Sequence, residues 1–335
     1  MYLNSFPKVN YIGNKEKISK WICDRFPKDI KTVFDAFSGG GSLSYEAKKR
    51  GYKVISNDVL KINYFIAKAL IENKSITLNQ KDLQNIFSGN VFSGFMYKQF
   101  SNVFYYPSEC KELDLYKKNI NNLNNNYKKY LAFTILRRAM IRKMPYSRFN
   151  ILWKKIIQLR DEEFSYKHYK RKRAYHNETF EFHFKDNLEE YNKAVFDNKK
   201  NNVALNLDVY KAIEKVDADL IYLDPPYAGT MNDYFSFYGL FDKFILSKKV
   251  KRFRNNFMDR NQIIGNFHGL FSKLQKYKYC FLSYNNQSFP NKTIMTSILK
   301  KYSKKLKIFK RKHTYKITGH KNKRINEEYL FFIQN

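Results

Sequence analysis

The chain has 335 residues, 43% hydrophobic and 18% aromatic, enough to bury a sizeable core in one or two domains. Lys and Arg total 63 against 30 acids, so the net charge is +33 and points to a polyanionic partner, nucleic acid before a membrane surface. No apolar run approaches the ~20 residues that span a bilayer, and no secretory pattern or zinc or redox spacing (Cys23, Cys110, Cys280) is present, which suits a reduced cytoplasm without a metal site.

Part of the lysine excess follows from an AT-rich codon bias, but that bias should enrich Glu as well, and it has not. Near the start, Asn10 to Lys15 leads into a stretch whose Ile18, Trp21 and Ile22 recur at helical spacing. Gly13 permits a tight turn before that helix, and Lys15 could aim a cation at a carboxylate. Next, 32–37 reads as a strand, Ser38-Gly39-Gly40-Gly41-Ser42 as a turn, 45–50 as a helix and 53–57 as a second strand ending at Asp58. This βαβ unit suits an adenosine-type cofactor, because glycines let a ligand approach the backbone and the acid takes ribose hydroxyls. Ser44 stands where the dinucleotide fingerprint needs glycine, so a nucleoside cofactor without phosphates fits better than a pyrophosphate.

Between residues 73 and 201 the pattern changes. An Asn/Lys-rich helical stretch covers 116–130, and thirteen cations with only three acids fall between 137 and 173. Tyr146, Phe149, Trp153, Tyr166 and Tyr169 are interleaved with them, which favours a nucleic-acid surface over a plainly solvated face. The expected DNA contacts are Arg137, Arg138, Arg142, Lys143, Lys170, Arg171, Lys172 and Arg173. The region reads as an insertion at 73–201 within a catalytic domain made of 1–72 and 202–335.

The α/β pattern returns at 203–208. A buried strand over 219–224 then ends in Asp224-Pro225-Pro226-Tyr227. Two prolines cannot extend a ladder, so the strand tip presents a carboxylate, a carbonyl and an aromatic face where open α/β sheets bind ligands. Asp224 and the Pro225 carbonyl could each accept one N–H of an exocyclic amine whose ring lies on Tyr227. A strand-ending turn is the other reading, and these four residues alone do not choose between them. Residues 228–242 are aromatic but show no period, a helix covers 265–276, a strand 279–286, the stretch 300–312 is basic, and 328–333 is a closing strand.

Together these stretches resemble the D12 (Dam-like, α-arranged) class of N6-adenine DNA methyltransferases. The matching parts are 10–15, 34–42, 56–58, Asp208 and 224–227, with 229–230, 282–286, 315–319 and 326–330 downstream. The resemblance implies a Rossmann-like α/β methyltransferase sheet with an inserted, mainly helical target-recognition domain. It implies S-adenosylmethionine held by Tyr11, Lys15, Phe37, Gly39, Gly41, Asp58, Asp208 and Asp224, with Asp224, Pro225, Pro226 and Tyr227 as the catalytic group. The expected substrate is a flipped adenine in double-stranded DNA, the expected setting a prokaryotic cytoplasm, and a restriction endonuclease encoded nearby is a candidate partner. An RNA adenine methyltransferase and a non-catalytic basic DNA-binding protein on the same scaffold are the competing readings. A glutamine methyltransferase is disfavoured by Asp224, and a nicotinamide oxidoreductase by Ser44 and the charge.

Overall fold

The computed structural model describes residues 5–147, 149–170, 176–226, 228, 234–251, 257–313 and 326–335. Its chain forms two units, one of Lys15–Val59, Lys199–Asp233 and Phe253–Asn335, the other of Met1–Asn14, Leu60–Asn198 and Tyr234–Arg252. The helical unit thus takes in more than the stretch 73–201, adding the N-terminal segment, residues 60–72 and a late helix.

The first unit is built on a sheet of β1 (Thr32–Asp35), β2 (Lys53–Asn57), β3 (Val203–Leu205), β4 (Leu220–Leu223), β5 (Tyr279–Asn285), β6 (Lys305–His313) and β7 (Asn326–Gln334). Their order is β3-β2-β1-β4-β5-β7-β6. The strands β1 to β5 run parallel, and β7 is antiparallel to both of its neighbours. This is the Rossmann-like sheet that the resemblance implies. Parallel strands are covered on both faces, which is why Leu220, Ile221, Tyr222 and Leu223 are all buried. Phe34, Ile221, Leu282, Tyr284 and Phe331 pack with Ile213, Phe267, Phe271 and Leu299 from the covering helices into one core. The strand order reverses between β1 and β4, so the crevice outside their carboxyl ends is where such sheets place a ligand.

All the named secondary structure of the second unit is helical. Its longest helix, Asn126–Arg142, starts at Asn125, whose side chain accepts the N–H of Tyr127, and is buried at every position from Leu131 to Ile141. The break at 122–125 splits the expected stretch 116–130 between this helix and Pro107–Asn121. The helix Tyr234–Leu246 starts inside the aromatic segment without a period and runs past its end. Phe237, Tyr238, Leu240, Phe241 and Phe244 are all buried, and a helix enclosed on several faces has no single apolar stripe to betray it. Asp242 on this helix accepts the N–H groups of Lys61 and Ile62, capping the N-terminus of the helix Lys61–Ala67, where the side chain of Leu60 cannot. Among the described residues, no helix is long and apolar enough to cross a membrane.

Candidate active site

The first wall of the site follows β1. Gly39 (φ 52°) and Gly41 (φ 82°) both lie in the left-handed region, which an L side chain rarely adopts, so the reversal from strand to helix requires glycine there. The Gly41 N–H bonds the Ser38 carbonyl at 2.7 Å to close the turn, and the helix Ser42–Lys49 starts directly after it. Asp58, just past β2, accepts the Gly39 N–H through Oδ2 at 2.9 Å. The acid expected to meet a ligand therefore also holds the turn that would cradle it. Phe37 is half-buried and sets its ring edge-on to Phe257 at 5.7 Å. Asp208 is exposed and its Oδ1 accepts the Tyr210 N–H, capping the helix Val209–Lys215.

The second wall follows β4. Asp224 comes directly after the last laddered residue, Leu223, and Pro225 behind it is buried. Lys15 Nζ lies 2.9 Å from Asp224 Oδ2, with Lys15 only 5% exposed and Asp224 17%. A lysine that far from water is held there by its carboxylate partner. Two residues back, Tyr222 is buried and its hydroxyl meets Ser283 Oγ on β5 at 2.6 Å, fixing the strand beneath Asp224.

One acid escaped the reading of the sequence. Asp35, the last residue of β1, is buried, and its Oδ2 accepts the Ser44 hydroxyl at 2.7 Å, with Ser44 also bonded to Ser56. Among the described residues its Oδ1 has no hydrogen-bond partner. Burial pushes its carboxyl up to about 7, the Ser44 hydroxyl partly offsets this, and the like charges of Asp224 and Asp58 add to the rise. Ser44 therefore occupies the third-glycine position of the dinucleotide pattern because its hydroxyl serves Asp35. The signal for Asp35 was available: an acid closing the first strand, immediately before a glycine turn.

Three carboxylates at the carboxyl ends of the neighbouring strands β2, β1 and β4 would repel a pyrophosphate and suit a cationic ligand carrying hydroxyls. The model of the D12 class N6 adenine-specific DNA methyltransferases matches residues 11–317. The chain belongs to this D12 class. It is 53% identical over 330 residues, 98% of each protein, to the Type II methyltransferase M2.HphI of Haemophilus parahaemolyticus. It is 24% identical to the Type II methyltransferase M.FokI of Planomicrobium okeanokoites, over 98% of this chain and 52% of that protein. Identity to the Type II methyltransferase M.CviAII of Paramecium bursaria Chlorella virus 1 is 21%, over 97% and 98% of the two chains. Membership decides for DNA over RNA and for an enzyme over a non-catalytic scaffold.

In this D12 methyltransferase, three of the cations expected on DNA turn inward instead. Arg137 is 1% exposed; its guanidinium donates to the carbonyls of Val9 and Asn10 and lies 5.3 Å from the rings of Tyr238 and Phe241. Arg138 is buried beside Asn187. Lys143 is buried 2.9 Å from Glu109, which also takes two N–H bonds from Arg160 at 2.6 and 2.8 Å. Burial would raise the Glu109 carboxyl, but Arg160 and Lys143 outweigh it and hold it below the usual range. A helix enclosed on all sides turns its cations to internal carbonyls and carboxylates, so these three are no phosphate contacts. Arg142 is half-buried and Lys170 is exposed, while Arg171, Lys172, Arg173 and Tyr227 lie outside the described residues. Tyr11 belongs to the helical unit, where its ring stacks on Tyr238 at 4.6 Å and its carbonyl accepts the Asn14 N–H in the turn that Gly13 (φ 78°) makes possible.

Proposed function

We propose that this DNA adenine methyltransferase takes its methyl group from S-adenosylmethionine and uses Asp224 and the Pro225 carbonyl to accept the two N–H groups of a flipped adenine. The observation that carries this reading is the Lys15–Asp224 pair at the carboxyl end of β4, across the reversal point from the glycine turn that Asp58 holds. When bound, S-adenosylmethionine supplies an already electrophilic methyl on a sulfonium, so the protein has to position rather than activate it. Asp58 would take the ribose, and Gly39 and Gly41 would let the nucleoside approach the backbone. Phe37 and Asp208 flank the same strand ends. Adenine N6 is a weak nucleophile because its lone pair is delocalised into the ring. Two acceptors on its hydrogens favour a pyramidal nitrogen, an interaction that strengthens towards the transition state. Tyr227 would supply the stacking face and Pro226 the rigid turn that sets it.

The helical unit reads the target, with its exposed cations and aromatics on the helices Trp153–Arg160 and Glu162–Tyr169. Lys154, Lys167 and Lys170 are exposed there beside Tyr166 and Tyr169. Work in a prokaryotic cytoplasm beside a cognate restriction endonuclease accords with the Type II relatives.

Cofactor assignment is tested by calorimetric titration with S-adenosylmethionine. Asp58→Ala should weaken binding at least tenfold while the affinity for DNA without cofactor stays put. Equal cofactor affinity in the two proteins would remove Asp58 from the site.

A second outcome follows from Asp35. Its folded carboxyl titrates at about 7, above the ordinary ~3.9 of an unfolded Asp. The native state therefore binds more protons between about pH 4 and pH 7, and the free protein loses stability as pH rises through that window. A cationic cofactor favours the ionised form, so binding at pH 6.5 should release protons, seen as a binding enthalpy that varies with the ionisation enthalpy of the buffer. Asp35→Asn should abolish that variation; if it persists, the protons come from another group.

A further inference from the structure

The stretch 300–312 carries eight cations and no acid. From Lys305 onward, with five of those cations, it forms β6, the edge of the sheet. Side chains alternate along a strand, so Lys305, Lys307, Phe309 and Arg311 share one face. On that face the Arg25 guanidinium lies 4.1 Å from the Trp21 ring and 5.2 Å from Phe309, and Arg311 lies 5.9 Å from Trp21. Lys305, Lys307 and Arg311 are exposed. Among the described residues none of these four cations has a carboxylate partner, whereas Lys310 on the opposite face is 2.6 Å from Glu327. Burial lowers the Arg25 guanidinium, Asp24 opposes this, and the like charge of Arg311 adds to the lowering. Two guanidiniums gathered around one indole, with two exposed lysines on the same strand face, leave that face net positive even with the buried Glu328 level with Arg311 on β7.

The register fixes where an anion on that face would be. Leu223 pairs with Leu282, so Asp224 stands level with Ser283, and Ser283, Leu330 and Phe309 form one cross-strand row. Three interstrand steps put Phe309 about 14 Å from Asp224. Because β6 runs parallel to β4, Arg311 lies towards the same edge of the sheet as Asp224.

We infer that this face of β6, with Trp21 and Arg25, binds the backbone phosphates of the duplex flanking the target, separately from the helical recognition unit. At 3.4 Å of axis per nucleotide, about 14 Å corresponds to about four base pairs from the flipped adenine. The inference rests on DNA being the substrate and, for the distance, on Asp224 marking the place of the flipped adenine; the cofactor groups do not enter it.

The test combines Lys305→Gln, Lys307→Gln and Arg311→Gln in the full chain. Two duplexes are built around a site the wild-type protein methylates, one ending about two base pairs from the adenine and one running about fifteen beyond it. Binding is followed by fluorescence anisotropy across a salt series. Wild type should prefer the long duplex, and its plot of log affinity against log salt should be steeper there. Each lost phosphate contact removes about 0.9 from that slope, so the triple variant should lose about 2 to 3 on the long duplex and little on the short one. The single-turnover rate on saturating short duplex should not change, so a failure of the catalytic reading would appear separately. Arg311→Lys should keep the wild-type slope. If the triple variant unfolds by circular dichroism, Lys305→Gln with Lys307→Gln carries the same comparison, with an expected loss of about 1 to 2. Wild-type slopes on both duplexes, equal losses on both, or self-association with an unchanged slope would each overturn the inference, the last by assigning these cations to guarding the edge strand.

Discussion

Asp224→Asn should lower single-turnover methylation of a cognate oligonucleotide by roughly 10²–10³, the range found for removing one group that stabilises developing charge. The amide has almost the volume of the carboxylate, so β4 and the Pro225–Pro226 turn should keep their places, and the thermal transition should move little. What changes is charge and donor sense. An amide can turn an N–H towards the substrate amine, and it no longer pairs as an anion with Lys15, now 2.9 Å away. Because the acceptor matters most as the nitrogen pyramidalises, the loss should fall on kcat and leave the KM for DNA nearly unchanged. A variant within tenfold of wild type would take Asp224 out of the chemistry.

Most of the sheet could be read from the residues because parallel strands buried on both faces leave dense apolar runs between turn signals, as 32–37, 53–57 and 219–224 do. The strand ends carry the chemistry, and Asp58 and Asp224 announce themselves by stopping those runs. What stayed hidden has physical reasons. β6 alternates lysines with only partly buried Leu306, Ile308 and Phe309, so its sequence looks like a solvated basic tail rather than an edge strand. The helix Tyr234–Leu246 has apolar residues on several faces and so lacks the stripe that marks an amphipathic helix. Arg137, Arg138 and Lys143 were the costliest misreading. Charge in a sequence says nothing of which way a side chain turns, and a long aromatic-rich helix can bury arginines against carbonyls and rings. The partner of Lys15 could be anticipated only as some carboxylate, because Asp224 lies 209 positions further along the chain.

That pair supplies the other large effect. Lys15→Met leaves Asp224 without its cation, and stranding one member of a buried pair costs about 3–5 kcal/mol. That cost falls on the folded state, and because Asp224 keeps 17% of its surface exposed it should lie at or below the low end of the range; the rate should fall by roughly a hundredfold, as for losing one group that stabilises developing charge. Two roles for the lysine can be separated. If it positions the Asp224 carboxylate, methylation falls while S-adenosylmethionine affinity changes by less than tenfold. The double variant Lys15→Met/Asp224→Asn should then be no slower than Asp224→Asn alone, because both changes remove one shared interaction. If the lysine instead binds the cofactor directly, cofactor affinity collapses and the two losses multiply. A thermodynamic cycle over the four proteins, with single-turnover rates and calorimetric titration, gives the coupling. A coupling near zero would sink the positioning role, whereas one equal to the whole Lys15→Met effect assigns the lysine to the acceptor on which the transfer depends.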